Sequence, residues 1–331
     1  MNLKLVLGFG VSVAFLWIAA RNVDPLEAWG YAQGINALYL LPYMALVVAE
    51  VLVRSWKWLV LLDPIKRASF RRLNSATLIG LMANNVLPAR AGEFVRAYVG
   101  ARMERIPVSA CFATVFIDRV LDGLTVSTIF VIAVVVQPLP DQIKGAGYAA
   151  AAIYVAALAG LVALIVQQTR TLRFMDTVLG PFPPRLRSLV MRLAQTFVGG
   201  LSALRSARLL LTATAISALI WFGYALSVYI MALAFDIHLS LFQSFVVLLI
   251  LTIALTLPST PGFVGTMELA LTEGLVLFGI DDSRAFAFAL VYHVTQYVPI
   301  TVAGILALWL ERLSIRDIAH VPAADAAAPS V

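Results

Sequence analysis

Apolar runs long enough to cross a lipid bilayer follow one another through this 331-residue chain, and they fix its fold class before any other feature is read. A spanning helix needs about 20 mostly apolar residues. Runs of that kind lie at roughly 3–20, 38–61, 108–136, 148–167, 209–235 and 285–310. Composition agrees: 13% of residues are Asp, Glu, Lys or Arg and 61% are hydrophobic, whereas a soluble domain carries about 25% charged residues. The expected fold is an all-α integral membrane protein. A single cysteine, Cys111, excludes a disulfide framework, and three scattered histidines at 238, 293 and 320 give no local metal motif.

Two more apolar stretches, about 75–87 and 242–257, are shorter. Each runs into a break, Leu87-Pro88-Ala89-Arg90-Ala91-Gly92-Glu93 in one case and Leu257-Pro258-Ser259-Thr260-Pro261-Gly262 in the other, and each is followed by another short helical piece. Broken backbone at membrane depth must line protein or a cavity. These regions therefore read as two re-entrant helical hairpins beside about six full transmembrane helices, all within one polytopic domain spanning residues 1–320. The Ala- and Pro-rich tail, 321–331, reads as disordered.

Orientation follows the basic residues. With the N-terminus inside, six full spans and hairpins that return to their own side, both termini are cytoplasmic. Cytoplasmic segments and span ends then hold 20 of the 24 Lys and Arg, including Lys66, Arg67, Arg71, Arg72 and seven arginines between 167 and 208. Arg21, Lys144 and Arg284 fall outside and Arg119 lies within a span. The expected location is the cytoplasmic (inner) membrane. The asymmetry accounts for the net charge of +6, so a nucleic-acid partner is not expected. The first span exceeds the usual 7–15 apolar residues of a signal peptide and reads as an uncleaved anchor. In the linker, about 168–208, prolines 181, 183 and 184 precede Leu186, Leu189, Leu193, Phe197, Leu201 and Leu204. That spacing predicts an amphipathic helix on the anionic inner face.

The two interrupted regions also resemble each other. Glu93 follows the first break and Glu268 the second; Ile106 to Arg119 is 13 residues, as is Ile280 to His293. Within those windows Ser109 aligns with Ser283 and Ala113 with Ala287. The implied repeats, about 75–136 and 242–310, enter from opposite sides and are therefore inverted, an arrangement found in transporters whose broken helices meet near the midplane.

Ionisable groups inside apolar spans mark candidate sites. Asp118 and Asp122 share one helix face, with Arg119 about 100° away and the cluster about 15 Å into the span. Two readings stand side by side: an internally neutralised packing cluster, or an Arg119 fork presented to a phosphate group. Arg90, Glu93 and Arg96 flank the first break, where amides of the Ala91-Gly92 turn would receive an anion, the alternative being a juxtamembrane ion pair. Asn84 and Asn85 suit unpaired backbone groups there. Glu268 follows Gly262 and Gly265, and His293 occupies the place that Arg119 holds in the first repeat, as a proton-linked element or a packing histidine. Glu50 is a lone carboxylate in the second span. Trp56, Trp58, Arg54 and Lys57 read as an interfacial anchor, and Ala149, Ala152, Ala156 and Gly160 as a close-packing stripe.

The run Asn84 to Glu93 with Arg96, the run Asp118-Arg119-Val120-Leu121-Asp122 and the run Pro258 to Glu268 resemble the lysylphosphatidylglycerol synthase transmembrane, or flippase-like, family, over about residues 5–312. The resemblance implies a multispan domain that translocates a lipid or lipid-linked group, with membrane lipids as partners and no cofactor. Arg90, Glu93, Arg96, Asp118, Arg119, Asp122 and Glu268 are the matching positions; His293 rests on the repeat alone. Bifunctional members carry a soluble aminoacyl-transferase domain. This chain ends shortly after its last span, so that activity is not expected. An intramembrane lipid-modifying enzyme and an accessory scaffold are the alternatives, the first lacking any Ser-His-Asp or HExxH pattern.

Overall fold

A computed structural model describes residues 3–87, 91–136, 141–256 and 261–313. Its described residues form thirteen α-helices and no strands: α1 (Leu3–Ala20), α2 (Pro25–Gln33), α3 (Leu40–Leu62), α4 (Phe70–Val86), α5 (Gly92–Glu104), α6 (Val108–Val136), α7 (Asp141–Val166), α8 (Gln168–Val178), α9 (Pro184–Gly200), α10 (Ala207–Ala234), α11 (Leu241–Ala254), α12 (Thr266–Val276) and α13 (Asp282–Leu310). Five of them, α3, α6, α7, α10 and α13, are long and apolar enough to cross a membrane. α1 has 18 residues, about 27 Å at 1.5 Å per residue, just under the usual hydrocarbon thickness.

The four helices flanking the breaks are too short to cross alone. They have 17, 13, 14 and 11 residues in α4, α5, α11 and α12, or roughly 16–26 Å. Each pair folds back on itself. Gly80 of α4 faces Arg96 of α5 while Asn84 meets Gly92, and Val247 of α11 lies against Gly274 of α12. A Cβ on Gly92 would run into the Gly80 carbonyl oxygen, and one on Gly80 would lie 2.7 Å from the Arg96 Cβ. Glycine at both positions is what lets α4 and α5 approach so closely.

Relative directions follow from residue pairings. Ser75 bonds Glu311, Met82 meets Gly304 and Asn85 bonds Thr301, so α13 runs antiparallel to α4. α5 is antiparallel to α4 and to α6 (Arg96 pairs with Asp118), and α12 is antiparallel to α13 (Glu268 meets His293). The units α4–α5–α6 and α11–α12–α13 therefore run in opposite directions, the inverted arrangement. Each packs on the long helix before it, α3 or α10, and those two pack on each other.

The linker carries the expected amphipathic helix, α9, and a second one, while the α7 stripe and α2 depart from expectation. The linker forms two helices, α8 and α9, joined through Arg187, whose Nε and Nη2 donate to Asp176 at 2.8 and 2.6 Å. The end of α9 docks on the start of α6, where Gly200 lies against the Ala110 backbone. Ala149, Ala152, Ala156 and Gly160 are exposed, and a Cβ on Gly160 would meet nothing within 4 Å; α7 instead joins α6 by Tyr154 over Gly123. α2 was not expected. It starts at Pro25 with Asp24 as N-cap, the Asp24 carboxylate accepting from the Leu26 and Glu27 amides.

Candidate functional site

A polar stripe on α3 begins the site. Glu50, Arg54 and Lys57 recur at helical spacing on one face, which turns inward, and all three are buried. They correct the anchor reading: of that set only Trp56 is exposed at the surface, while Lys57 is wholly buried. The Lys57 ammonium lies 2.6 Å from Asp118 Oδ1 and 2.6 Å from Asp122 Oδ1, and it donates to the Asp118 carbonyl at 3.2 Å. The two aspartates share a face of α6, so one ammonium reaches both.

Three arginines complete the cluster. Arg96 of α5 donates from Nη1 to Asp118 Oδ2 at 2.8 Å, and its guanidinium lies over the Trp58 ring at 4.3 Å. That indole sits against Gly100, where a Cβ would block it, and donates to Thr114 Oγ1 at 2.9 Å. Arg119 Nη2 is 3.2 Å from Asp118 Oδ2 and 3.4 Å from Asp122 Oδ2. Arg54 approaches Asp122 at 3.9 Å and donates to Tyr224 of α10 at 2.7 Å. Glu93 is held most loosely, 3.8 Å from Arg96 and 3.7 Å from Arg119.

Four cations, Arg54, Lys57, Arg96 and Arg119, thus face three carboxylates, Glu93, Asp118 and Asp122. Glu50, one turn before Arg54 on the same buried face of α3, is a fourth carboxylate beside the cluster, so the charges can balance within the protein. Arg119 and Glu93, 33% and 24% exposed, are where the cluster reaches the surface. Deeper in, Arg54 Nε, Arg96 Nε, Arg96 Nη2 and Thr77 Oγ1 are buried without a hydrogen-bond partner. An unsatisfied buried donor costs about 1–3 kcal/mol, and more when charged.

The second repeat carries a smaller counterpart. Glu268 accepts from the Gly265 amide at 2.6 Å, and its other oxygen lies 2.6 Å from His293 Nδ1. Gly265 and Gly262 have φ of 83° and 76°, values that favour glycine. The structure so places the aligned residues in matching pairs, Glu93 with Arg119 and Glu268 with His293. The hairpin tips meet. A Cβ on Gly262 would lie 3.4 Å from the Asn85 carbonyl oxygen and 2.9 Å from the Tyr297 ring. Asn85 Nδ2 donates to Thr301 Oγ1 at 2.9 Å, and the Tyr297 hydroxyl donates to the Asn85 carbonyl at 3.4 Å.

Arg90 lies outside the described residues. The Gly92 amide is not open to an anion, because Asn84 Oδ1 accepts from it at 2.8 Å. Glu50 is not alone: Ser227 donates to it at 2.8 Å. Sequence reasoning missed Arg54, Lys57, Thr77 and Tyr224. The signal for the first two was the recurrence of Glu50, Arg54 and Lys57 with Leu61 every three to four residues, a buried polar face. Among the described residues no three His, Cys, Asp or Glu side chains could hold a metal ion.

Fold and site together define a polytopic helical membrane protein with two inverted, broken-hairpin repeats around a buried charge cluster. Residues 5–304 match the family described as the lysylphosphatidylglycerol synthase TM region, and the chain belongs to that family. It is similar to a Haloferax volcanii protein called glycosyltransferase AglD, 23% identical over 92% of this chain and 54% of that protein, so it spans about half of that relative. It is also similar to a UPF0104 membrane protein of Methanothermobacter thermautotrophicus, 24% identical over 88% of this chain and 90% of the relative. A third relative, the UPF0104 membrane protein MJ1078 of Methanocaldococcus jannaschii, is 26% identical over 71% and 96%.

Proposed function

We propose that the protein translocates a lipid, or a lipid-linked group with an anionic head, across the cytoplasmic membrane. The observation that carries the reading is the buried cluster of four cations and three carboxylates, reaching the surface at Arg119 beside hairpin tips that touch. Ionisable groups gathered at membrane depth are costly, and they commonly mark a ligand site or a pathway. Tips of inverted repeats in contact provide an element that rocks about a fixed site. The head group meets Arg119 while its apolar chains stay in lipid, and relative movement of the repeats exchanges the sides. Both termini face the cytoplasm in this reading, on the strength of the basic residues in α8 and α9.

The test is reconstitution into liposomes carrying head-group-labelled anionic and zwitterionic lipids, with label exposure read from the opposite leaflet. Wild type should speed exposure of the anionic lipid, while correctly folded Arg119→Ala should match empty liposomes. Wild-type rates in Arg119→Ala would remove the charged residue from the mechanism. The name of the Haloferax relative favours a second reading, an enzyme acting on a lipid-linked sugar within the membrane. Conversion of such a lipid to a new mass by the pure protein would support it.

A further inference from the structure

Between α3, α4 and α5 lies a cleft lined by Arg54, Thr77, Asn84, Glu93 and Arg96 together with Gly80 and Gly92. In this conformation it is closed, with no room for a water-sized sphere. Its walls hold the donors left without partners: Arg54 Nε, Arg96 Nε and Nη2, and Thr77 Oγ1. Thr77 is fully buried, and Arg96 and Arg54 are 3% and 7% exposed. Arg96 offers a charged planar fork through Nε and Nη2, Arg54 a single charged donor at Nε and Thr77 a hydroxyl, a combination suited to a tetrahedral oxyanion.

Glu93 stands in the cleft wall. It is the carboxylate most loosely bound in the cluster, and its Oε2 is buried with no hydrogen-bond partner although Arg96 lies 3.8 Å away. It is also one-quarter exposed, so it has somewhere to go. Withdrawing Glu93 would take one carboxylate from the cleft wall and leave Arg54 and Arg96 with one negative charge fewer nearby. We propose that this cleft is a phosphate-binding site, formed by Arg54, Arg96 and Thr77, in which Glu93 holds the place of the ligand until a phosphate displaces it. The proposal deepens the translocator reading and rests on it for the source of the phosphate, a lipid head group. It names two side chains, Arg54 and Thr77, that stand on helices outside the Asp118–Asp122 motif.

The test measures binding to the detergent-solubilised full chain by titration calorimetry. The probes are dihexanoyl phosphatidic acid, inorganic phosphate and uncharged dihexanoylglycerol. Phosphatidic acid should bind, and inorganic phosphate should compete with it more weakly; dihexanoylglycerol should not bind. Thr77→Val, which keeps the side-chain shape, should weaken phosphatidic acid about fivefold, and Arg54→Gln about tenfold or more. Glu93→Gln should tighten it, since a neutral amide competes less well for Arg96. If inorganic phosphate binds as tightly as phosphatidic acid, the site takes free phosphate and the lipid source is wrong. Binding indifferent to Thr77→Val and Glu93→Gln would overturn the site, even where Arg54→Gln fails to fold. Liposome exchange separates the two ideas. Exchange that needs Arg119 but with wild-type binding in Thr77→Val leaves translocation standing and the cleft refuted. Binding as described with no exchange of any labelled lipid leaves the site standing and the translocator reading refuted.

Discussion

Replacing Lys57 with methionine tests whether one buried ammonium organises the charge cluster. Lys57 Nζ lies 2.6 Å from a carboxylate oxygen of both Asp118 and Asp122. At that distance and an effective dielectric of about 20, each contact amounts to roughly 6 kcal/mol of attraction. Burying the ammonium costs several kcal/mol, so the pair sum is not a net stability. What counts is the state left by truncation, in which Asp118 keeps Arg96 and Arg119, and Asp122 keeps only the longer contacts to Arg119 and Arg54, with the ammonium between the two carboxylates gone. Breaking a buried pair in this way typically costs about 3–5 kcal/mol, and that loss is expected for Lys57→Met. Because methionine nearly matches the lysine stem in volume, packing contributes little to the change. Reversible unfolding of the detergent-solubilised protein in SDS, followed by tryptophan fluorescence, measures it. Adding Asp122→Asn removes the carboxylate that loses its shortest contact, so the double variant should be more stable than the sum of the single effects allows, by at least about 1.5 kcal/mol. A Lys57→Met loss below about 1 kcal/mol, or additivity within about 0.5 kcal/mol, would refute the bridging role.

Two further perturbations probe the hairpins, with a third on α7 as a control. Gly92→Ala drives a methyl group into the Gly80 carbonyl and should cost about 1–3 kcal/mol in the same unfolding assay, while alanine at Gly160, where nothing lies within 4 Å, should change stability by less than about 0.5 kcal/mol. Asn85→Ala removes the bond to Thr301; amide hydrogen exchange should quicken in the last turn of α4 and around Gly262 together, and quickening confined to α4 would show that the tips are not coupled.

Much of this fold could be read from the sequence because length and punctuation carry it. Apolar runs of 20 residues and runs cut short by Pro and Gly are different physical objects in a bilayer, and α4–α5 and α11–α12 follow the cuts. The alignment of Glu93 with Glu268 and Arg119 with His293 used spacing alone, and each carboxylate lies beside its base. Lys57 was harder. A lysine near a span end beside tryptophans extends to the surface or turns inward according to what the neighbouring helices offer, and the offer here comes from α6, 61 residues away. Thr77 has no sequence signature at all: a threonine in an apolar helix becomes informative only when its hydroxyl is seen to lack a partner. The exposed face of α7 shows the converse, since small residues at helical spacing permit a close approach without requiring one.

The meeting of the hairpin tips also sets an order of assembly. Asn85 and its partner Tyr297 are 212 residues apart in the chain, and a ribosome adding about 5–20 residues per second needs roughly 10 to 40 s to cover that gap. Throughout that interval the first hairpin is in the membrane with the side-chain amide of Asn85 still waiting for α13. Completion of the first repeat therefore waits for the synthesis of α13, and a chain interrupted before α13 leaves the Asn85 side chain without its partners there.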